Sequence, residues 1–595
     1  MNKKMLVASL LLISNALAAG LANAADEAAK LGKLYGEFWE ENLKRNPLLA
    51  TGAGDPRYNA ELPNFLSADY QRESKAFHEK YLAAAKAIGS RGLTGQDQLS
   101  YEIFTLNRES ALAELEYPER LLPVNQFYNF ANSFVQLGSG KGQQPFVTVK
   151  DYDNWLSRAA KGPGIIDQAI ANMREGVKQN LVQPRVLMEK VLPQLDANIV
   201  DDPEKSLFWG PVANMPKDFP PADRERLTAA FRTLISAQIV PAYRRLRVYI
   251  NDEYLPKSRD TFGLGALPNG AAWYEHQVRD NTTRSLTPAK VHQIGLDEVA
   301  RIQQGMREVA KDLGYTNSVK TLPELKVFFE WMKNREDLYF NSREELLKTY
   351  QDFDVNVAPL LSNYFNLRPK APYEVRLVEP FREASASSGS YQAPPLDGSR
   401  PGIFYVNAYD LKARPKSALA ALSLHEAAPG HHFQLALQRE LGDLPMFRRF
   451  SRDTAYIEGW GLYAEYLGYE MGIYKDPVQR FGALDAELWR AIRLVTDTGI
   501  HYKGWSRQQV LDYMYANSPA EPTRAISEAE RFAAIPGQAL AYKIGQLKFA
   551  ELRQRAEKAL GKKFDVKAFH DECLKDGAVP LEVLESKIDR WIASR

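Results

Sequence analysis

The stretch His425-Glu-Ala-Ala-Pro-Gly-His-His432 concentrates groups that bind metals and move protons. It contains three of the eight histidines of a 595-residue chain, and a glutamate directly follows the first of them. A further carboxylate follows in Glu458-Gly-Trp-Gly461. Histidine and glutamate are the side chains that catalytic zinc sites use as ligands. This part of the chain therefore predicts a zinc-hydrolase site, and we interpret the rest as the scaffold around it.

The spacing of the histidines differs from the usual zinc pattern His-Glu-x-x-His. Four residues after His425 stands Pro429. On a straight helix His431 would point about 120° away from His425, and His432 would lie roughly 10 Å further along the axis. Proline cannot make the helical hydrogen bond and glycine tolerates unusual backbone angles, so Pro429-Gly430 predicts a helix break. The break would bring a histidine back towards His425; His431 is preferred as the second ligand, and His432 is the alternative.

Together with Glu458-Gly-Trp460 and the later Ile535-Pro-Gly-Gln-Ala539, this pattern resembles the bacterial DUF885 proteins, which are similar to gluzincin-type zinc metallopeptidases. The resemblance covers about residues 262–553. It implies a mostly helical fold and peptidase activity. It also implies one Zn²⁺ ion and a role for each site residue: the metal ligands would be His425, His431 and Glu458, and the general base would be Glu426.

A carboxylate as the third ligand leaves one coordination position for water, which is the catalytic arrangement. Glu458 falls in a stretch with helical character, and two further carboxylates occur near it, Asp453 and Glu465. Either could orient a ligand imidazole by accepting its second N–H. The alternative is that both belong to a solvated helix face.

The region after the metal motif supplies candidates for transition-state stabilisation and substrate binding. Zinc peptidases need a donor for the oxyanion of the tetrahedral intermediate, and Tyr542 and His501 are the candidates. Arg531 is predicted to bind a peptide carboxylate, with Arg493 as an equal possibility, because a planar guanidinium can donate two parallel hydrogen bonds to the two oxygens of a carboxylate. Purely structural roles are the alternative for all four.

Two strands are predicted before the metal motif, at residues 373–378 and 403–407, with a small, polar loop at 385–399 between them. The resemblance to gluzincins implies that the second strand is an edge strand that pairs with the substrate backbone, with Tyr405 and Asn407 as substrate contacts. Such pairing binds peptides through main-chain bonds and tolerates varied side chains. A plain hairpin strand is the alternative.

The chain begins with lysines, an apolar run and the small-x-small sequence Ala22-Asn-Ala24, which predict a signal peptide over residues 1–24. No later stretch is apolar for the ~18 residues that span a bilayer, so we predict a periplasmic or secreted protein. A net charge of +2 without a basic patch argues against nucleic-acid binding. Nothing in the sequence indicates an oligomeric state.

The resulting prediction is a mainly α protein, a large helical metallopeptidase-like body with a small β-sheet next to the metal-site helix. A helical scaffold lobe would occupy residues 25–260 and the catalytic region residues 261–595. The function would be zinc-dependent cleavage of short peptides. The alternatives are an amidase or esterase acting on a small non-peptide substrate, and a zinc-containing binding protein without catalysis. Glu426 favours an enzyme, because metal binding alone does not require a base.

Overall fold

The computed structural model describes residues 25–379, 383, 386–394 and 400–595 of the chain. The predicted signal peptide lies outside these residues. The described chain forms two compact units, one extending to Phe262 and including Ala266–Gly270, the other containing Gly263–Gly265 and Ala271–Arg595. None of the helices in the described ranges is both long enough and apolar enough to cross a membrane.

The first unit consists of α-helices and their connecting segments. Its last two α-helices are continuous with two π-helical segments, Ile235–Ile239 and Ile250–Tyr254, so that helical structure extends from Pro221 to Tyr254. Its helices are α1 (25–45), α2 (Pro47–Gly52), α3 (Ala68–Ile88), α4 (Gly95–Glu114), α5 (Phe130–Gly138), α6 (Val149–Ala159), α7 (Gly162–Lys178), α8 (Arg185–Glu189), α9 (Val191–Asp196), α10 (Gly210–Ala213), α11 (Pro221–Leu234) and α12 (Val240–Tyr249).

The core of this unit is aromatic. Phe134 and Trp155 are both fully buried, with ring centroids 5.5 Å apart. A Cβ on Gly138, at the end of α5, would lie 2.3 Å from the Trp155 ring, so only glycine allows this approach. Burial of such large side chains accounts for much of the stability of a helical unit.

The second unit carries the residues of the predicted site. Two of its helices, α14 and α21, are 25 residues long and pack against each other, with Gly295 of α14 against Leu494 and Val495. Its helices are α13 (Gly270–Thr282), α14 (Pro288–Asp312), α15 (Leu322–Lys333), α16 (Arg343–Val357), α17 (Leu419–Glu426), α18 (His431–Glu440), α19 (Met446–Arg449), α20 (Thr454–Glu470), α21 (Pro477–His501), α22 (Arg507–Asn517), α23 (Pro522–Ala534), α24 (Ala541–Leu560), α25 (Val566–Leu574) and α26 (Leu581–Ala593).

The second unit also contains a three-stranded sheet beside α17. The strands are β1 (Tyr373–Leu377), β2 (Gly389–Gln392) and β3 (Gly402–Val406), in the order β1-β3-β2. Phe404 and Val406 of β3 share a hydrophobic cluster with Leu419 of α17. The protein is therefore mainly α with a small sheet next to α17, the helix that carries His425, as the sequence predicted.

Two expectations about the sheet are wrong. The segment 385–399, predicted as a loop, contains β2; its glycine and serines carry no apolar alternation, and pairing with β3 organises it. The strand predicted to lie at the edge is central, because β3 pairs in parallel with β1 and antiparallel with β2. A central strand has both rows of backbone groups occupied, so β3 cannot pair with a substrate.

Helices α20 and α24 cross in van der Waals contact through two glycines. A Cβ on Gly545 would lie 2.0 Å from the carbonyl oxygen of Ala455 and 2.6 Å from the Cα of Gly459. Because those atoms belong to the backbone, they can give way only if the helices move apart. The crossing lies beside Glu458 and sets the distance between α20 and α24 at that residue.

We expect Gly545→Ala to destabilise the protein by about 1–3 kcal/mol, because the added methyl group overfills this crossing. Gly442→Ala is the control, since a Cβ at Gly442 meets no atom within 4 Å. Differential scanning calorimetry of both variants measures the effect. Equal melting temperatures for the two variants would contradict the close crossing.

Candidate metal centre

The predicted helix break is present between α17, which ends at Glu426, and α18, which begins at His431. The Ala428–Pro429 peptide bond is cis. A Cβ on Gly430 would lie 2.0 Å from the carbonyl oxygen of His425, so the chain can turn back here only with glycine. The indole Nε1 of Trp460 donates to the carbonyl of Pro429 at 2.9 Å and holds this turn against α20.

The break brings His425, His431 and Glu458 together as the sequence predicted. The Nε2 atom of His425 lies 3.4 Å from Oε2 of Glu458, and Nε2 of His431 lies 3.6 Å from the same oxygen. One possible ligand atom from each residue falls within 4.8 Å of the others. These three side chains therefore form a compact set with two nitrogen donors and one oxygen donor.

Three residues on one face of α20 surround the imidazole ring of His425. Glu458, Gly461 and Glu465 follow at intervals of three and four residues, so they share a helix face. Oε1 of Glu465 lies 2.8 Å from Nδ1 of His425, while Glu458 faces Nε2 on the other side of the ring. A Cβ on Gly461 would lie 2.6 Å from Cε1 of His425, so glycine leaves the space that the imidazole occupies.

His432 has a different place from His431. Its Nδ1 lies 2.8 Å from the Tyr391 hydroxyl of β2, and its ring also bonds the backbone of Ala371. The Tyr373 ring lies 4.5 Å from the imidazole, centroid to centroid. Burial lowers the pKa of His432 to about 4. This histidine is thus a neutral residue that links α18 to the sheet, and it is not part of the three-residue set.

The electrostatics of the set favour a positive charge among its carboxylates. Burial acts to lower the pKa of His425, but hydrogen bonds to Glu458 and Glu465 outweigh it and raise the pKa to about 9. Burial acts to raise the pKa of Glu458, and the two histidines reverse this and hold it well below its usual value. Glu426 adds a third carboxylate whose charge acts on His425. A positive charge among these carboxylates offsets the cost of burying them together; protonated His425 supplies it here, and a bound cation would also supply it.

The geometry also fits zinc. Two ligands bound at zinc's usual distance of about 2.0–2.1 Å in tetrahedral geometry are about 3.3–3.4 Å apart. The separations of 3.4 and 3.6 Å between Glu458 and the two histidines match this value closely. The contact from Glu465 to Nδ1 of His425 directs Nε2 towards the common point, as outer carboxylates do in zinc sites. Three protein ligands leave a fourth position open.

The two carboxylates considered as partners of a ligand imidazole have different roles. Glu465 is in contact with His425, and Arg490 of α21 lies 3.5 Å from the same oxygen of Glu465. Asp453 instead caps α20 by accepting the backbone N–H of Tyr456 at 2.9 Å. The sequence could have distinguished these two carboxylates. Glu465 stands seven residues after Glu458 and so lies on the same helix face, whereas Asp453 stands five residues before Glu458 and does not.

The predicted oxyanion donors are placed differently from each other. His501 is buried; its Nδ1 accepts the backbone N–H of Leu264 at 2.8 Å and its Nε2 lies 3.0 Å from the carbonyl oxygen of Phe532. With both ring nitrogens engaged, His501 has a structural role, and we remove it from the candidate donors. Tyr542 is half-buried in the first turn of α24, and its hydroxyl is hydrogen-bonded to Arg531.

The predicted substrate contacts on β3 differ as well. Asn407 is fully buried; its amide donates to the carbonyls of Glu383 and Ala386 and accepts the N–H of Tyr409. No group of this side chain is left for a substrate, which corrects the prediction. Tyr405 lies on the outer face of the sheet, with its hydroxyl 3.5 Å from Gln392.

The class of protein that fold and site define is a mainly helical protein in which two buried histidines flank a helix break and meet a largely buried glutamate of a neighbouring helix. The chain belongs to a family described as "Bacterial protein of unknown function (DUF885)", whose profile matches residues 47–588. No curated protein matches it.

Two solved structures are similar over almost their whole length. One is the "putative lipoprotein from Colwellia psychrerythraea", with 29% sequence identity, a TM-score of 0.86, and coverage of 96% of this chain and 100% of that chain. The other is a "putative lipoprotein of unknown function from Shewanella oneidensis", with 20% identity, a TM-score of 0.75, and coverage of 93% and 98%. The second likeness concerns the fold alone.

We expect His431→Ala to abolish stoichiometric zinc binding, because it removes one of three ligands, and His432→Ala to retain it. Elemental analysis of the purified variants measures bound zinc directly. The His432 variant serves as the control for losing a buried imidazole from the same turn. Loss of zinc from the His432 variant alone would show that the ligand assignment is wrong.

Glu465→Gln should weaken zinc affinity by about 10–100-fold, because an amide accepts the Nδ1–H of the ligand imidazole less strongly than the carboxylate does and orients the ring less well. Competition against a chromophoric chelator gives the dissociation constant. Glu470→Gln, at the end of the same helix and paired with Arg553, is the matched control. An unchanged affinity in the Glu465 variant would rule out its role in orienting His425.

Proposed function

We propose that this protein is an exported zinc-dependent hydrolase that cleaves peptide bonds, with a site similar in its chemistry to that of gluzincin-type metallopeptidases. The observation that carries the proposal is the position of Glu426. It directly follows His425 at the end of α17 and is buried beside a three-ligand set whose separations suit zinc. Metal binding alone does not explain a further carboxylate at this position.

A zinc ion held by His425, His431 and Glu458 would supply Lewis-acid polarisation of a water molecule and of the scissile carbonyl. Glu426 would take the proton from the attacking water and then deliver it to the departing amine. Glu465 would keep His425 in the required tautomer and orientation through the contact at Nδ1. Burial of these groups strengthens every one of these interactions.

Tyr542 is the proposed donor to the oxyanion. It lies one helical turn before Gly545, which touches the backbone of Gly459 next to Glu458. Its hydroxyl is hydrogen-bonded to Arg531, and the guanidinium of Arg493 lies 4.6 Å from its ring centroid. Two cations therefore lie beside this phenol, and their positive charge favours its donation of a hydrogen bond to an anionic oxygen.

The strand proposed to receive the peptide backbone is β2. It is a terminal strand of the sheet and lies against α17, with Gly389 packed on Leu422. Tyr391 of β2 contacts His432, so the strand is tied to the residue next to a metal ligand. Main-chain pairing at this strand would make side-chain preference broad.

Export is proposed from two observations. The sequence of residues 1–24 has the charged start, apolar run and small-x-small site of a signal peptide. The similar structure from Colwellia psychrerythraea is described as a "putative lipoprotein". A periplasmic or secreted location follows, and the substrates would be peptides that reach that compartment.

Glu426→Gln tests the function. The variant should keep zinc and its melting temperature but lose about 100-fold or more in kcat, because an amide cannot accept the proton of water. Mass spectrometry of a mixed peptide library measures turnover. Glu344→Gln, an exposed position on α16, is the control.

Full activity of the Glu426 variant with zinc retained would remove the assigned base. Zinc-dependent turnover of simple esters or amides without peptide cleavage would move the assignment to a different hydrolase. Stoichiometric zinc without turnover of either substrate class would favour a binding protein.

A further inference from the structure

A buried guanidinium close to the metal centre lacks partners for most of its donors. Arg493 of α21 is 8% exposed, and its Nη2 donates to Oε2 of Glu528 at 2.8 Å. Its Nε and Nη1 atoms are buried and have no hydrogen-bond partner in the described part of the chain. Leaving buried donors unpaired is unfavourable, and charged donors cost more than neutral ones. The open nitrogens therefore indicate a place for an acceptor that the chain itself does not provide.

The surroundings of Arg493 select an anion. Glu528 is shared by two guanidinium groups, since its Oε1 also accepts Nη1 of Arg531 at 3.0 Å. Arg531 further donates to Gln538 at 2.7 Å and bonds the Tyr542 hydroxyl. Arg524 acts on the same carboxylate and itself faces Asp485, so the guanidinium groups around Glu528 outnumber the carboxylates. A ligand carboxylate would reduce this excess of positive charge.

Contacts along α21 place Arg493 near the metal ligands. Arg490 lies one turn earlier on the same helix face, with its Nη2 atom 3.5 Å from Glu465, which contacts His425. Residues three apart on a helix have Cβ atoms about 5–6 Å apart. Arg493 is thus one helical turn from a residue that touches a partner of the metal site.

Contacts along α24 give the same placement independently. The Tyr542 ring centroid is 4.6 Å from the guanidinium carbon of Arg493. Tyr542 precedes Gly545 by three residues, and Gly545 touches Gly459, the neighbour of the ligand Glu458. Two helices therefore bring Arg493 and Tyr542 to the same side of the metal centre.

We propose that Arg493 binds the C-terminal carboxylate of the substrate, so that the enzyme removes one or two residues from the C-terminus of a peptide. This inference rests on the proposed peptidase function and specifies its substrate. An extended chain advances at most about 3.3–3.6 Å per residue, so a carboxylate one or two residues beyond the scissile bond lies at most about 7 Å from it, which suits an anchor beside the metal set. Arginine suits this role because its planar fork pairs with both carboxylate oxygens.

Entry of the carboxylate involves Tyr542. The open nitrogens of Arg493 are closed off from solvent, and the half-buried Tyr542 ring covers the guanidinium. The ring must turn aside for a carboxylate to reach Nη1. Arg493 would then anchor the substrate and Tyr542 would contact it, with Arg531 holding the phenol through its hydroxyl.

The test compares two peptides that differ only at the C-terminus, one ending in a free carboxylate and one in a carboxamide. For the wild-type zinc protein we expect kcat/KM to be about 10–100-fold lower for the amide, because a charge-assisted hydrogen bond is lost. Products identified by mass spectrometry should be single residues or dipeptides from the C-terminus. Equal kcat/KM for the two wild-type reactions would overturn the proposal without any variant.

Substitutions assign the preference to Arg493. In Arg493→Gln the ratio of the two kcat/KM values should fall towards 1, mainly through a higher KM for the acid, and Arg493→Lys should retain part of it. Arg376→Gln, at an exposed position on β1, should keep the wild-type ratio. A wild-type ratio in the Arg493 variant would overturn the assignment.

The failures of the two proposals are distinguishable. Zinc-dependent cleavage of both peptides at equal efficiency would leave the peptidase function standing and remove the carboxylate site. Cleavage of neither peptide by the zinc protein would remove both. Melting temperature and zinc content of each variant separate a folding defect from a binding defect, and the wild-type ratio decides the proposal where a variant does not fold.

Discussion

The structure depends on one arrangement: the imidazole of His425 held between two carboxylates of a single helix. Glu458 faces Nε2 and Glu465 contacts Nδ1, and both belong to α20. Gly461, on the same face between them, provides the space for the ring. The metal set therefore forms only when α17 and α20 approach closely and in one register. Trp460 fixes that register by donating to the carbonyl of Pro429 in the turn that leads to the second histidine.

This arrangement explains the small residues around it. Gly459 and Gly545 let α24 cross α20 in backbone contact, and Gly430 lets the chain turn back over the carbonyl of His425. Helices packed on both sides leave only 4%, 11% and 20% of the His425, His431 and Glu458 side chains exposed. Such burial strengthens the attraction between opposite charges and makes the assembled carboxylates costly without a positive charge nearby.

The side of the centre towards α21 and α24 is organised by arginines. Arg490 contacts Glu465, and Arg493 lies one turn further along α21 beside the Tyr542 ring. Arg531 joins the group from α23 through Glu528. Negative charge is thus concentrated at the metal set and positive charge next to it. The proposed substrate, a peptide with a free C-terminus, would present a polarised carbonyl and a terminal carboxylate to these two regions.

The sequence by itself determined what depends on local chemistry. The helix break at Pro429-Gly430 and the two strands, predicted at 373–378 and 403–407 and found at 373–377 and 402–406, follow from the backbone preferences of a few adjacent residues. The grouping of His425, His431 and Glu458 came from the family resemblance of the motifs that contain them. Only the tertiary structure decided which strand is central, that His501 and Asn407 have their polar groups occupied, and that Arg493 keeps open donors. The physical reason is that hydrogen-bond satisfaction and strand order depend on partners that are distant along the chain. No local pattern in one sequence specifies those partners.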